Sequence, residues 1–78
     1  MLITHGPPQG VLDKIYDGSA VGCEALAERL EQVQPRLHVF GHIHEDYGSR
    51  KVGNTTYVNA CSCTFQYQPL NPCIIFDL

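Results

Sequence analysis

The chain has no apolar run approaching the roughly 20 residues that a membrane-spanning helix needs, so nothing in it reads as a membrane span. Positive charge is scarce. Five Lys and Arg stand against eight Asp and Glu, for a net charge of −3, and no basic cluster forms. That balance argues against nucleic acid or an anionic membrane surface as the main partner. No basic stretch followed by an apolar one opens the chain, so no signal peptide is visible and the expected compartment is the cytoplasm. No Cys-x-x-Cys knuckle occurs: Cys61-Ser62-Cys63 has the wrong spacing, and Cys23 and Cys73 have no partner at zinc-finger distance. A structural zinc site is therefore not expected. Four cysteines in a short secreted chain are compatible with a disulfide framework. The preferred reading is four reduced, partly buried thiols of an intracellular protein. There is no internal repeat, no low-complexity tract and no second domain. Residues 1–78 form at most one small unit, which buries only about 60% of its unfolded surface and is marginally stable.

What is present is an apolar run that ends in histidines. Arg36-Leu37-His38-Val39-Phe40-Gly41-His42-Ile43-His44 reads as a buried strand, a glycine, and two histidines two residues apart. In extended chain such residues point to one side, with Cα atoms about 6–7 Å apart. His42 and His44 can then face one cleft, and neutral imidazole is the commonest protein ligand of divalent transition metals. Leu2-Ile3-Thr4 reads as a second short strand, stopped by His5-Gly6-Pro7-Pro8. Ligands of open α/β sheets bind outside the carboxyl ends of the strands. If strands 2–4 and 37–40 are parallel neighbours, His5, His42 and His44 converge on one edge.

The segment between these strands is long enough for a crossover helix. Residues 9–21 read as a loop. Over 23–33, Cys23, Leu26, Ala27, Leu30 and Val33 fall on one face of a 3.6-residue period, and the charged residues fall on the other. Pro35 ends this helix. Residues 49–53 and 55–59 read as a hairpin about Gly53-Asn54. Residues 66–72 read as a connector and 73–77 as a last strand. His38, inside the apolar run, reads as a packed core histidine with a hydrogen bond. Glu45 and Asp46 read as solvated loop acids, with orientation of a ligand histidine as the alternative. Asn59 ends a strand, where structural capping is preferred to catalysis.

Three segments together resemble a known family. They are Thr4-His5-Gly6-Pro7-Pro8, then Gly22-Cys23 opening a helix, then Pro35 to Glu45 with Gly-His-x-His. This pattern, with Thr55 to Ala60, Asn71-Pro72 and Ile74 to Leu78, is similar to the calcineurin-like metallophosphoesterases. It is most similar to the metallophosphoesterase domain-containing subgroup. The resemblance implies an α/β fold, the carboxyl-terminal part of a β-sandwich with flanking helices, in the order strand-loop-helix-strand-hairpin-strand. It implies His5, His42 and His44 as metal ligands, with His5 and His42 sharing one ion and His44 on the other. It implies two divalent ions (Mn, Fe, Zn or Mg) in the complete domain, and hydrolysis of a small-molecule phosphodiester, nucleotides among the candidates.

Members of that family also carry Asp-x-His, Gly-Asp and Gly-Asn-His motifs upstream, which supply the other ligands, and none of the three occurs here. Three histidines cannot fill two coordination spheres. The isolated chain is thus expected to bind one transition ion weakly and to be inactive. The alternative reading is a non-catalytic fragment or a module that pairs with an upstream half. Its exposed core surface would also favour self-association.

Overall fold

The computed structural model describes residues 1–64 and 66–76. Its elements are β1 (Leu2–Ile3), α1 (Glu24–Val33), β2 (Leu37–Phe40), a short 3-10 helix (His44–Asp46), β3 (Gly48–Val52) and β4 (Thr55–Asn59). The sheet order is β1-β2-β4-β3. β1 pairs with β2 in parallel, Leu2 beside His38. β2 pairs with β4 in parallel, Leu37 beside Thr56 through Phe40 beside Asn59. β3 and β4 form the antiparallel hairpin, Val52 beside Thr55. The parallel pairs need long connections, and the β1–β2 connection holds α1, as expected for a strand-helix-strand unit.

Local chemistry sets the element ends. α1 begins one residue later than the periodicity predicts, because Cys23 is its N-cap: the Sγ accepts the Leu26 N–H at 3.4 Å. Sulfur is a weak cap compared with Ser or Asp, so the sequence did not advertise it. Gln34 closes the helix in left-handed backbone, its N–H donating to Leu30 O, just before Pro35. The hairpin turns at Gly53, whose φ of +60° suits glycine.

The core joins one face of the sheet to the helix. Leu30, Phe40 and Tyr57 are buried together, and Leu2, Val11, Leu12 and Leu26 pack against them. Each fully buried side chain of this size contributes about 1.5–3 kcal/mol of apolar transfer. Val33, assigned to the apolar helix face by period, is 56% exposed. Gly22 lies where the 9–21 loop passes the Pro8 strand end. A Cβ there would meet Pro8 O at 2.4 Å, so only glycine permits the Pro8–Cys23 bridge.

One expectation needs correction. Residues 73–76 carry no strand, although the last-strand reading extended to 77, which lies outside the described residues. Ile75 is 92% exposed, so it lacks the half-buried surface on which strand residues pack. The described residues make one sheet with one helix; a second sheet facing it, as a sandwich requires, is not among them. No helix among the described residues is long and apolar enough to cross a membrane. All four cysteines are free.

His38 is the expected core histidine, with no exposed surface. Its ring lies 5.0 Å from Phe40 and 5.6 Å from Tyr57, centroid to centroid. Thr4 Oγ1 donates to Gly6 O at 2.7 Å. It therefore accepts from His38 Nε2–H, 2.8 Å away. Nδ1 is the unprotonated nitrogen and has no partner among the described residues. Burial pushes the His38 pKa below its ordinary 6.5, so the ring is neutral in the fold. Below that ordinary value the unfolded chain takes up a proton that the fold refuses. Stability is therefore full above about pH 6.5 and falls as the pH drops toward the lower folded-state pKa. Thermal unfolding should show the midpoint declining from about pH 7 to about pH 5. His38→Gln, which keeps a donor for Thr4, should flatten that decline; an unchanged slope would show that other groups cause it.

Candidate metal centre

The sheet ladder brings the first two histidines together. Beyond β1, Thr4 N–H donates to Val39 O at 3.0 Å and Gly41 N–H donates to His5 O at 3.1 Å. These bonds zip the carboxyl ends of β1 and β2. His5 and His42 lie side by side, ring centroids 4.6 Å apart and planes inclined by 38°. Gly6 leaves room for this, since a Cβ there would lie 3.9 Å from His42 Cδ2. His42 itself has a φ of +72°. Left-handed backbone at a non-glycine residue costs on the order of 1 kcal/mol or more and clusters at functional sites. The Thr4 hydroxyl, bridging His38 and Gly6 O, pins the turn that carries His5.

His44 opens the 3-10 helix. Its Nδ1 lies 3.0 Å from Thr64 O. A carbonyl only accepts, so Nδ1 carries the hydrogen and Nε2 keeps its lone pair. Pinning one ring nitrogen in this way is how proteins aim a metal-ligating histidine. The ring also meets Tyr67 nearly edge-on, centroids 5.2 Å apart. His42 and His44 line one hollow of about 440 Å³. His42 also lines a neighbouring hollow of about 410 Å³ with Gly6 and Pro7. The histidines thus associate as two pairs that share His42. Among the described residues, no three His, Cys, Asp or Glu side chains gather closely enough to hold an ion. In donor type the residues suit a divalent transition ion, because imidazole nitrogen is its preferred partner.

Asn59 is the residue whose role the sequence left open. It has no exposed surface. Its Nδ2 donates to Ile43 O at 2.8 Å, Asp46 O at 3.0 Å and Leu12 O at 3.3 Å. Its Oδ1 accepts the Cys61 N–H at 3.1 Å. The two shorter bonds clamp the backbone on either side of His44, and the third ties in the 9–21 loop. Glu45 is exposed, as a solvated acid should be, and Asp46 is half-buried, yet each carboxylate also receives a backbone N–H. Glu45 Oε2 accepts the Tyr16 N–H at 3.1 Å, and Asp46 Oδ2 accepts the Lys14 N–H at 3.0 Å. Both bind the 9–21 loop, and no bond to a ligand histidine is among their contacts.

Sequence reasoning missed one group. Asp13, read as loop, is 1% exposed, and its Oδ2 accepts the Gly10 and Gly22 N–H groups at 2.9 and 2.8 Å. The signal was an aspartate among glycines, which favours side-chain-to-backbone turns. Cys61 sits under His42. Burial pushes its thiol up, opposed by a hydrogen bond from the His42 backbone, so the sulfur stays protonated at neutral pH.

Replacing Asn59 by Ala leaves the buried Ile43 and Asp46 carbonyls without their donor. At about 1–3 kcal/mol for each unsatisfied group, urea unfolding of Asn59→Ala should report a loss of several kcal/mol. A loss below about 0.5 kcal/mol would mean that the clamp is dispensable.

No family model matches the chain. Metallophosphoesterase domain-containing protein 1 of Homo sapiens is 58% identical over 80 aligned residues, spanning the whole chain but 24% of that protein. The protein of the same name from Mus musculus matches equally well. UPF0046 protein K07C11.7 of Caenorhabditis elegans is 48% identical over 81% of the chain and 21% of its own length. The chain spans about a quarter of the length of the curated relatives that it matches, and a carboxyl-terminal portion fits. Over that quarter, it is homologous to the metallophosphoesterase domain-containing proteins.

Proposed function

We propose that this chain supplies the histidine side of a metal-dependent phosphoesterase site. His5 and His42 share one divalent ion, and His44 serves a neighbouring one. The observation that carries the reading is the His5–His42 ring pair at 4.6 Å, held where parallel strands end, the usual ligand position of such sheets. The relatives' name supports the reaction class. Their length supports further ligands from outside these 78 residues. When bound, divalent ions supply positive charge for the phosphoryl oxygens and acidify a water for in-line attack on phosphorus.

The chain's own contribution is orientation. Thr64 O holds the His44 proton at Nδ1 and leaves Nε2 for an ion. The Thr4–Gly6 turn and the His5–Gly41 bond hold His5 against His42. Imidazole donors favour manganese, iron or zinc over magnesium. A small-molecule phosphodiester is the proposed substrate, with nucleotides among the candidates. Calorimetric titration of the 78-residue chain with zinc should give one weak site. His42→Gly relieves the positive φ and so keeps the fold, yet should weaken zinc binding by about tenfold or more. Equal affinity in the two proteins would remove His42 from the site. The same chain with manganese should not hydrolyse bis-p-nitrophenyl phosphate; turnover lost on His42→Ala would assign the whole reaction to these residues.

A second reading is favoured by the sheet edge. Among the described residues β1 has a neighbour on one side only, and Ile3 and Met1 are 68% and 69% exposed. An unpaired edge with exposed apolar residues recruits another strand. In this reading the chain is a module that acts only when paired with an upstream segment of its longer relatives. Gel filtration should show one complex when such a segment is added, and self-association of the chain in its absence. A monomer that ignores the added segment would oppose the pairing.

A further inference from the structure

The hollow that His42 and His44 line has two further walls, one from each side. Tyr16, on the 9–21 loop, and Tyr67, on the connector after Thr64, both face it. Their exposures are 85% and 78%. Neither ring belongs to the core, and neither location is random. The Tyr16 N–H is held by Glu45 Oε2, from the helix that His44 opens. Tyr67 sits in left-handed backbone, φ +61°, its N–H donating to Thr64 O at 2.8 Å. A bulky residue there is an outlier that the surrounding structure must sustain. Thr64 O is also the acceptor for His44, and the Tyr67 ring touches His44. Histidine and tyrosine are thus set by one peptide group.

We infer that Tyr16 and Tyr67 form an aromatic subsite beside the proposed metal ligands, and that it takes the planar aromatic group of a phosphoric ester. Aromatic faces left open to water gain on stacking against a planar ring, and they do so without needing a particular hydrogen-bond pattern. The phosphate of such an ester then lies toward His42 and His44, and the ring lies between the tyrosines. This inference rests on the phosphoesterase reading for its phosphate and on the tyrosines for its ring.

The probes are phenyl phosphate and methyl phosphate, titrated into the chain with zinc present and read by proton NMR and calorimetry. Phenyl phosphate should bind about tenfold more tightly, with shifts at the Tyr16 and Tyr67 ring protons that methyl phosphate does not cause. Tyr16→Ala and Tyr67→Ala should each bring the ratio toward one, and Tyr67→Phe should keep it. Both side chains are exposed, so these substitutions spare the core. A ratio near one in the unsubstituted chain, or one that survives both alanine substitutions, overturns the subsite. Zinc bound through His42 together with a ratio near one sinks the subsite alone. A tenfold ratio without zinc binding sinks the metal reading alone and leaves the aromatic subsite standing.

Discussion

Asn59 is the constraint on which the rest of the site depends. It ends β4 with no exposed surface and spends its amide on three backbone carbonyls from two separate loops. Two of those carbonyls, of Ile43 and Asp46, bracket His44. They reinforce the chain leaving β2, where the 3-10 helix is a single turn and such turns have poor hydrogen-bond geometry. The third carbonyl, of Leu12, fastens the 9–21 loop to the same point. A buried amide with every group used is costly to disturb and gives a unique geometry. One side chain at the end of a strand thereby sets the position of a histidine and of the loop facing it.

The remaining order comes from the loop itself. Asp13 gathers the Gly10 and Gly22 amides, and Glu45 and Asp46 receive the Tyr16 and Lys14 amides. The carboxylates of this region therefore hold backbone and have no role as donors to an ion in the contacts they make. This divides the labour plainly. His42 and His44 line the hollow that Tyr16 and Tyr67 also line, and the carboxylates brace the loops. In a small unit with a modest apolar cluster, side-chain-to-backbone bonds of this sort carry much of the specificity that a larger core would supply.

The histidine arrangement is asymmetric. His42 belongs to both hollows, with His5 on one side and His44 in the other. Its left-handed backbone turns the chain sharply after Gly41, which lets the ring reach His5 while the chain continues to His44. The strand alternation that first suggested a shared cleft for His42 and His44 does not operate here, because neither residue is in extended strand backbone. They reach the same hollow by a turn and a helical cap.

The sequence by itself determined most of the elements. The apolar run at Leu37–Phe40, the helical period ended by Pro35 and the Gly53-Asn54 turn are local patterns, and local sterics enforce them. β2, the hairpin and all but the first residue of α1 were legible to within a residue, and so was the core place of His38. The three histidines were conspicuous at strand ends, His42 and His44 after Gly41 and His5 before Gly6. What tertiary structure alone decided were the partnerships: Asn59 with Ile43 and Asp46, Asp13 with Gly22, His44 with Thr64, and Tyr16 and Tyr67 across one hollow. Each joins atoms far apart in the chain or set by an unusual backbone angle, and no periodicity encodes such a meeting.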